Sequence, residues 1–331
     1  MVIPIKNEAK FIGSTINQIL SQDYPPDKIE VLVAIGECED NSREIVTALA
    51  AKDDRIRVFN NTVGRSSAGR NIGARNATGE IITFIDGHTY IDNNQLLKNT
   101  AMLMEKQNVL VLSRPQFLEP PDNDFFQRAV AMARRSVIGH GLDSTIYTDE
   151  DGYVIPDSSG ASYRKEVFDK VGFYDERFDA CEDVEFNHRA GKAGLESYTS
   201  MKLVVYYYPR SSWKALFAQM KRYGRGRFRL AQKHRSTISA GTLIPPLFVL
   251  SLPLLLILAA LSPIFLNLFI LLAGIYILAI LAGSILVAIK NGIKYLPYLV
   301  LIYPAIHLGL GWGFLEEGWR KLIGRGVDFE K

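Results

Sequence analysis

Acidic residues are the scarcest feature of the second half of this chain. Between Glu196 and Glu316 there is no aspartate or glutamate, while lysine and arginine recur from Arg210 to Arg235. The overall net charge of +3 is too small to mark nucleic acid as a general partner. Cysteine is also rare: Cys38 and Cys181 are the only two, far apart and without ligand-like spacing. This argues against a disulfide framework or a zinc site and fits a reducing compartment. No internal repeat or low-complexity tract is present, and no leader is read before Met1-Val2-Ile3-Pro4, which enters a strand at once. Apolar residues are abundant by contrast. They make up 48% of the chain, and the mean hydropathy of +0.05 owes its height to the residues after Gly241.

A length of 331 residues allows one or two domains. The pattern predicts strands over 2–5, 29–35, 55–59 and 81–85, with helices over 9–21, 42–52 and 70–77 between them. Such alternation is expected of a doubly wound parallel sheet. The glycine-rich loop 64–73 matches neither dinucleotide nor P-loop spacing and reads as structural. Beyond it come a helix over 94–107, a strand over 109–113 and a mixed helical stretch over 124–138 closed by Gly139-His140-Gly141. A polar segment over 148–153 follows.

The strand at 81–85 is apolar on both faces, which predicts a buried parallel strand. It runs straight into Asp86-Gly87-His88. Open α/β sheets bind ligands beyond the carboxyl ends of their strands. An acid and an imidazole there can place one oxygen and one nitrogen on a divalent cation, with phosphate oxygens filling the other positions. Read alone, the same residues equally describe a strand and an Asp-Gly turn. A second constellation is Glu182-Asp183 at the start of a helix. The helix dipole favours acids there whatever their role, and the functional alternative is a general base. Adjacent acids point about 100° apart around a helix, so one can face a substrate while the other bonds elsewhere.

Trp213, Leu216, Phe217 and Met220 form one apolar stripe, with Lys214, Lys221, Arg222, Arg225, Arg227 and Arg229 around it. Residues 211–240 therefore read as a basic amphipathic segment for a bilayer interface, or as a topology signal before a span. Residues 243–261, 264–289 and 296–315 are charge-free and long enough to cross a hydrocarbon core of about 30 Å. They predict a membrane domain over 241–331 with two to three transmembrane helices, the first two forming a hairpin at Ser262-Pro263. Lys290 and Lys294 mark the next turn as cytoplasmic. Three spans would carry the tail outside, whereas Arg320, Lys321 and Arg325 argue for inside. The third segment, with Pro297 and Pro304, is re-entrant or interfacial in the alternative reading.

Taken in order, Val2-Ile3-Pro4 with Asn7-Glu8, Asp40, Arg70-Asn71 with Gly73, Asp86-x-His88, Glu182-Asp183 and Gln219-x-x-Arg222-Tyr223 resemble the family 2 inverting glycosyltransferases over residues 1–230. Asp-x-His in place of Asp-x-Asp, and Phe126-Gln127-Arg128-Ala129 followed by Gly-x-Gly, are similar to the succinoglycan-type glucosyltransferases of that family. The resemblance implies an α/β fold: a nucleotide-sugar-binding GT-A (Rossmann-like) domain over 1–210 with a C-terminal transmembrane helical region. It implies that Pro4, Asn7, Glu8, Asp40 and Arg70 line the nucleotide pocket and that Gln219, Arg222 and Tyr223 meet the diphosphate. Asp86 and His88 would hold Mn²⁺ or Mg²⁺. Asp183 would be the catalytic base, with Glu182 beside it.

The implied protein is a multi-pass enzyme of the cell membrane with a cytoplasmic catalytic domain. Its partners would be a nucleotide-sugar donor, a lipid-linked or glycan acceptor, and the membrane, with no nucleic acid. The chain departs from the family pattern at Ile35-Gly36, where relatives carry aspartates, at Lys6 for an aromatic, and at Tyr223 for tryptophan. The nucleotide is therefore not specified. Alternatives are a polyprenyl-phosphate sugar synthase, whose acceptor phosphate is already ionised, and a non-catalytic nucleotide-sugar-binding membrane protein.

Overall fold

The computed structural model describes residues 1–120, 122, 124–139, 146–147, 149–156 and 160–329. Of the features expected above, His140, Gly141 and position 148 lie outside the described residues. The chain divides into two compact units, Met1–Pro120 with Thr145–Tyr208, and Pro121–Ser144 with Pro209–Lys331.

The first unit opens with β1 (Val2–Ile5), α1 (Ile12–Leu20), β2 (Val31–Ile35), α2 (Ser42–Ala50), β3 (Ile56–Asn60), α3 (Ser66–Asn76) and β4 (Ile81–Thr83). It continues through β5 (Thr89–Tyr90), α4 (Leu96–Lys106), β6 (Val111–Ser113) and β7 (Gln116–Phe117). After α5 (Phe125–Arg135), which belongs to the second unit, come β8 (Gly152–Val154), β9 (Gly160–Arg164), α6 (Glu166–Val171), α7 (Glu182–Lys192), β10 (Ser197–Thr199) and β11 (Val205–Tyr207). β1, β2 and β3 are parallel, with Val2 opposite Leu32 and Val31 opposite Ile56. Every residue of β2 is buried, as an unbroken Val-Leu-Val-Ala-Ile run requires.

A wholly parallel sheet is not what forms. β4 pairs antiparallel with β9, Ile81 opposite Arg164, and meets β1 only through a parallel bridge from Val2 to Phe84. β9 lies between β4 and β6, antiparallel to both. Apolar residues on both faces of a strand report that both faces are covered, not the direction of its neighbours.

The glycine-rich 64–73 segment is helix rather than loop for most of its length, since α3 starts at Ser66. Its glycines seat α3 on β1. A Cβ at Gly69 would lie 2.8 Å from Pro4 Cβ, and one at Gly73 would overlap the side chain of Val2. We expect Gly73→Ala to cost about 1–3 kcal/mol through overpacking, read as a lowered urea midpoint. Gly79→Ala, where nothing lies closer than 3.7 Å, is the control and should shift it far less.

The second unit adds α8 (Trp213–Lys233), α9 (Ala240–Leu258), α10 (Pro263–Asn291) and α11 (Leu296–Leu322) to α5. α5 starts with a capping box between Asp124 and Gln127 and buries Ala129, Val130 and Ala133 in one cluster with Leu216, Met220, Leu299, Ile302, Tyr303 and Ile306. α5 thus groups with the helical unit, while the last residue of the first unit is Tyr208. The reason is the apolar face of α5, which needs a helical partner. Among the described residues three helices are long and apolar enough to cross a membrane, which suggests membrane association. α9 and α10 expose Leu247, Leu254, Ile257, Ile270, Leu278 and Leu286, as lipid-facing helices do.

Candidate active site

The candidate residues of the first unit gather where β4 runs out. Phe84 N–H donates to Ala161 O at 2.9 Å and Ile85 N–H to Val2 O at 3.0 Å, so the backbone is paired on both sides up to Ile85 and released at Asp86. Thr15 then secures the turn, its Oγ1 donating to Gly87 O at 2.9 Å and Thr89 O at 3.1 Å. Gly87 is glycine for want of room: a Cβ there would stand 2.9 Å from Glu8 Cγ and 3.0 Å from Ile5 Cγ2.

Arg70, reaching from α3, ties the acids together. Its Nη2 donates to Asp86 Oδ1 at 3.1 Å and stands 3.9 Å from Glu182 Oε1. The guanidinium lies over the Phe84 and Tyr174 rings, at 5.8 and 5.7 Å from their centroids. Burial works against its charge, but the Glu182 and Asp86 carboxylates outweigh burial and hold the guanidinium protonated. For Asp86, burial pushes the carboxyl up, and the charges of Arg70, His88 and Arg114 more than reverse this, holding it below the usual carboxylate range. Glu182 goes the other way. Its burial, reinforced by neighbouring Asp183, raises it despite Arg70.

The signs of these shifts separate the two acids. Asp86, depressed in the fold, adds stability above the unfolded carboxylate range, and that contribution is lost as pH falls through its folded value. Glu182, raised in the fold, binds its proton more tightly than in the unfolded chain, so its contribution declines as pH rises from about 4.5. Glu182→Gln should therefore flatten the fall of unfolding free energy above that pH, measured by urea titrations across the acid range. An unchanged slope would count against the burial assigned to Glu182.

His88 places Nδ1 2.8 Å from Glu8 Oε1. A carboxylate on one ring nitrogen sets the tautomer and turns the other, Nε2, toward a ligand. Among the described residues no group of three or more His, Cys, Asp or Glu side chains gathers to hold a metal ion. Asp86 and His88 are instead a two-donor set, and Arg70 engages Asp86 only through Oδ1. That set fits Mg²⁺ or Mn²⁺, which take most of their ligands from phosphate and water.

Glu182 and Asp183 open α7 behind Cys181, whose left-handed φ of 61° turns the chain into the helix. Asp183 is half-buried, and its Oδ1 accepts from Val184 N–H at 2.8 Å. The expected nucleotide residues surround the loops after β1 and β2. Asn7, at φ 58°, accepts the Glu39 N–H on Oδ1 at 2.8 Å. Asp40 takes the Ala9 N–H at 3.0 Å and the Ser42 N–H and Oγ at 3.0 and 2.5 Å. In the fold, then, Asp40 binds the two loops together, Pro4 packs on Gly69, and Glu8 holds His88. Gln219, Arg222 and Tyr223 stand on α8 in the second unit, where Arg222 is exposed and the Tyr223 ring lies 6.0 Å from the Arg134 guanidinium.

One residue of this centre escaped the sequence reading. Arg114 is 3% exposed, and its Nη2 donates to Phe84 O and to Tyr207 OH, each at 2.9 Å. Its Nε and Nη1 are buried without a hydrogen-bond partner among the described residues. It thus supplies a second positive charge behind Asp86. The only signal for it was an arginine directly after a buried strand, in Val-Leu-Ser-Arg-Pro.

Comparison with known proteins bears on the family and the fold. The Glycosyl transferase family 2 model matches residues 1–172. The chain is 30% identical over 331 aligned positions to the succinoglycan biosynthesis protein ExoA of Rhizobium meliloti (strain 1021), covering 98% of this chain and 94% of that protein. It is 25% identical to the dolichyl N-acetyl-alpha-D-glucosaminyl phosphate 3-beta-D-2,3-diacetamido-2,3-dideoxy-beta-D-glucuronosyltransferase of Methanococcus voltae, over 96% and 95% of the two chains. Among solved structures, the mannosyltransferase PcManGT of Pyrobaculum calidifontis, in complex with GDP-Man and Mn²⁺, superposes with a TM-score of 0.58 at 20% identity, covering 96% of this chain and 86% of that one. A mixed sheet with its acids at the end of β4 and the start of α7, and a family match across more than half of the residues, lead to one conclusion: the chain belongs to glycosyl transferase family 2.

Proposed function

We propose that this glycosyltransferase moves a hexose from a UDP- or similar nucleotide sugar to a hydroxyl of a lipid-linked or polysaccharide-precursor acceptor, with inversion, at the cytoplasmic face of the cell membrane. The observation that carries the reading is the Arg70-centred cluster, which holds Asp86 ionised and engages Glu182 while Asp183 stands half-exposed beside it. Asp183 takes the proton of the acceptor hydroxyl as that oxygen bonds to the anomeric carbon. The bond from that carbon to the nucleoside diphosphate breaks on the opposite face. Asp86 and His88 would hold Mn²⁺ or Mg²⁺, which when bound neutralises charge on the leaving diphosphate.

Pro4, Asn7, Glu8, Asp40 and Arg70 are assigned to the nucleotide and Gln219, Arg222 and Tyr223 to the diphosphate. The names of the relatives support the acceptor class: one belongs to succinoglycan biosynthesis, the other acts on a dolichyl-linked sugar phosphate. PcManGT was solved with a nucleotide sugar and Mn²⁺, in keeping with the proposed donor and cation.

The test is a donor screen on membranes containing the full chain, with Mn²⁺ and a lipid extract, reading released nucleoside diphosphate. One donor should give release that depends on the extract. Asp86→Ala should lower it by about 10²-fold or more, the size expected when a group stabilising the leaving charge is lost. Release that ignores both the extract and Asp86→Ala would overturn the proposal.

A further inference from the structure

α11 is apolar enough to cross a membrane, yet its surroundings differ from those of α9 and α10. Only 6% of each of those two spans is buried within the protein, against 44% of the third. Part of its cover comes from α9, where Gly311 meets Pro245 and Val249, and from α10, where Tyr276 OH lies 3.2 Å from His307 Nδ1; the most extensive is α8, which runs beside it in the same direction. Trp213 Nε1 donates to Leu301 O at 3.0 Å, Lys221 Nζ stands 2.8 Å from Glu316 Oε2, and Arg229 Nε donates to Glu317 Oε1 at 2.8 Å. Small residues bring the two backbones together. A Cβ at Gly309 would lie 2.8 Å from Met220 Cβ, and one at Gly313 or Gly224 would collide with the facing backbone. From Leu301 to Glu317 the two helices share about 24 Å of axis at 1.5 Å per residue.

This pairing decides where α11 can lie. α8 leaves Lys214, Arg222 and Arg227 exposed, spread over about 20 Å of axis. Carried across hydrocarbon beside α11, they would meet lipid at several depths, and side chains near the middle cannot snorkel out. The stretch from Glu196 to Glu316 contains no acid to neutralise them. α11 for its part exposes Tyr298, Leu301, Trp312, Trp319 and Leu322, which fall within about 120° of its circumference at 100° per residue. An apolar face with tryptophans along its length, beside a basic helix, has the composition of a layer lying in the plane of the headgroups.

We infer that α8 and α11 lie together along the membrane interface and that the α9–α10 hairpin alone crosses the bilayer. The cations of α8 meet anionic phospholipid headgroups, and the Tyr298–Leu322 face enters the acyl boundary. Two crossings return the chain to the side on which α8 began, so the carboxyl end lies on that side. Arg320, Lys321 and Arg325 then sit where basic residues are retained, and the conflict left by three spans disappears. The inference goes beyond the proposed reaction and rests only on the membrane association.

Cysteines placed one at a time in the full-length chain, in a Cys38→Ser background whose remaining Cys181 is buried and whose own labelling is subtracted, report sidedness through a membrane-impermeant maleimide applied to intact cells and to inverted vesicles. Asn291→Cys and Arg325→Cys should label from one face and Leu261→Cys from the other. Labelling of Asn291→Cys and Arg325→Cys from opposite faces means that α11 crosses, and labelling of all three from one face means that the hairpin does not. Either result overturns the inference. Depth comes from intrinsic fluorescence, because all three tryptophans, Trp213, Trp312 and Trp319, belong to α8 and α11. Lipids brominated near the headgroup should quench it more than lipids brominated near the chain end, and the reverse order would exclude the interfacial position. Neither readout requires sugar transfer, so loss of the enzymatic reading leaves it intact.

Discussion

Asp183→Asn is expected to lower transfer by about 10²–10⁴-fold, the range attributed to a positioned general base, while donor affinity stays within a few-fold. The substitution preserves what the carboxylate does for the fold. Asparagine Oδ1 can still accept the Val184 N–H that Asp183 Oδ1 accepts at 2.8 Å, so a folding defect is not the expected cause of the loss. What disappears is the ability to receive a proton from the attacking hydroxyl. Nucleotide-sugar binding by calorimetry, set beside turnover of the same preparation, separates the two effects. Equal activity in the variant would remove Asp183 from the mechanism. It would favour an acceptor that needs no base, such as a polyprenyl phosphate, and chromatography of the lipid product would identify it.

Arg70→Met should have the largest effect on stability. Its guanidinium stands between Asp86 and Glu182, and its removal leaves two carboxylates facing each other in a poorly solvated place. Breaking a buried pair in this way costs about 3–5 kcal/mol, at the lower end here because Asp86 retains 33% side-chain exposure. In a domain of this size that corresponds to a fall in melting temperature on the order of 10 °C. Arg70→Lys should recover little, because a single ammonium cannot reproduce the planar fork that spans two acids. Adding Glu182→Gln to Arg70→Met should restore part of the loss, since one of the two stranded charges is then gone. Thermal unfolding of the native chain, Arg70→Met, Arg70→Lys, Glu182→Gln and the double variant tests this, and additivity of Arg70→Met and Glu182→Gln would show that Arg70 and Glu182 do not communicate.

Much of the site was legible because its signals are local. Asp86-x-His88 follows an apolar run that can only be a buried strand, and Glu182-Asp183 opens a helix as read. The limits of that legibility fall at contacts between distant segments. Glu8, read by resemblance as a nucleotide residue, bonds to His88 across 80 positions of sequence. Asp40, read in the same way, is occupied with backbone and hydroxyl groups of the two neighbouring loops. Arg114 had only its place after a buried strand to distinguish it from a surface arginine, yet it is buried behind Asp86. At β4 the expectation of parallel neighbours holds toward β1, through the Val2–Phe84 bridge, and fails toward β9, because burial of both faces is compatible with parallel and antiparallel neighbours alike.

Residue order alone determined the alternation of strand and helix through the first four strands, the apolar helices after residue 240, the basic stripe before them, and the acids and histidine proposed for the chemistry. These follow from side-chain periods of about 2.0 and 3.6 residues and from the chemistry of each side chain. Tertiary structure alone decided that β9 inserts beside β4, that Arg70 joins two acids more than 90 positions apart, and that α8 covers α11. Each of these depends on which surfaces meet once the chain has closed on itself, and no window of neighbouring residues encodes that meeting.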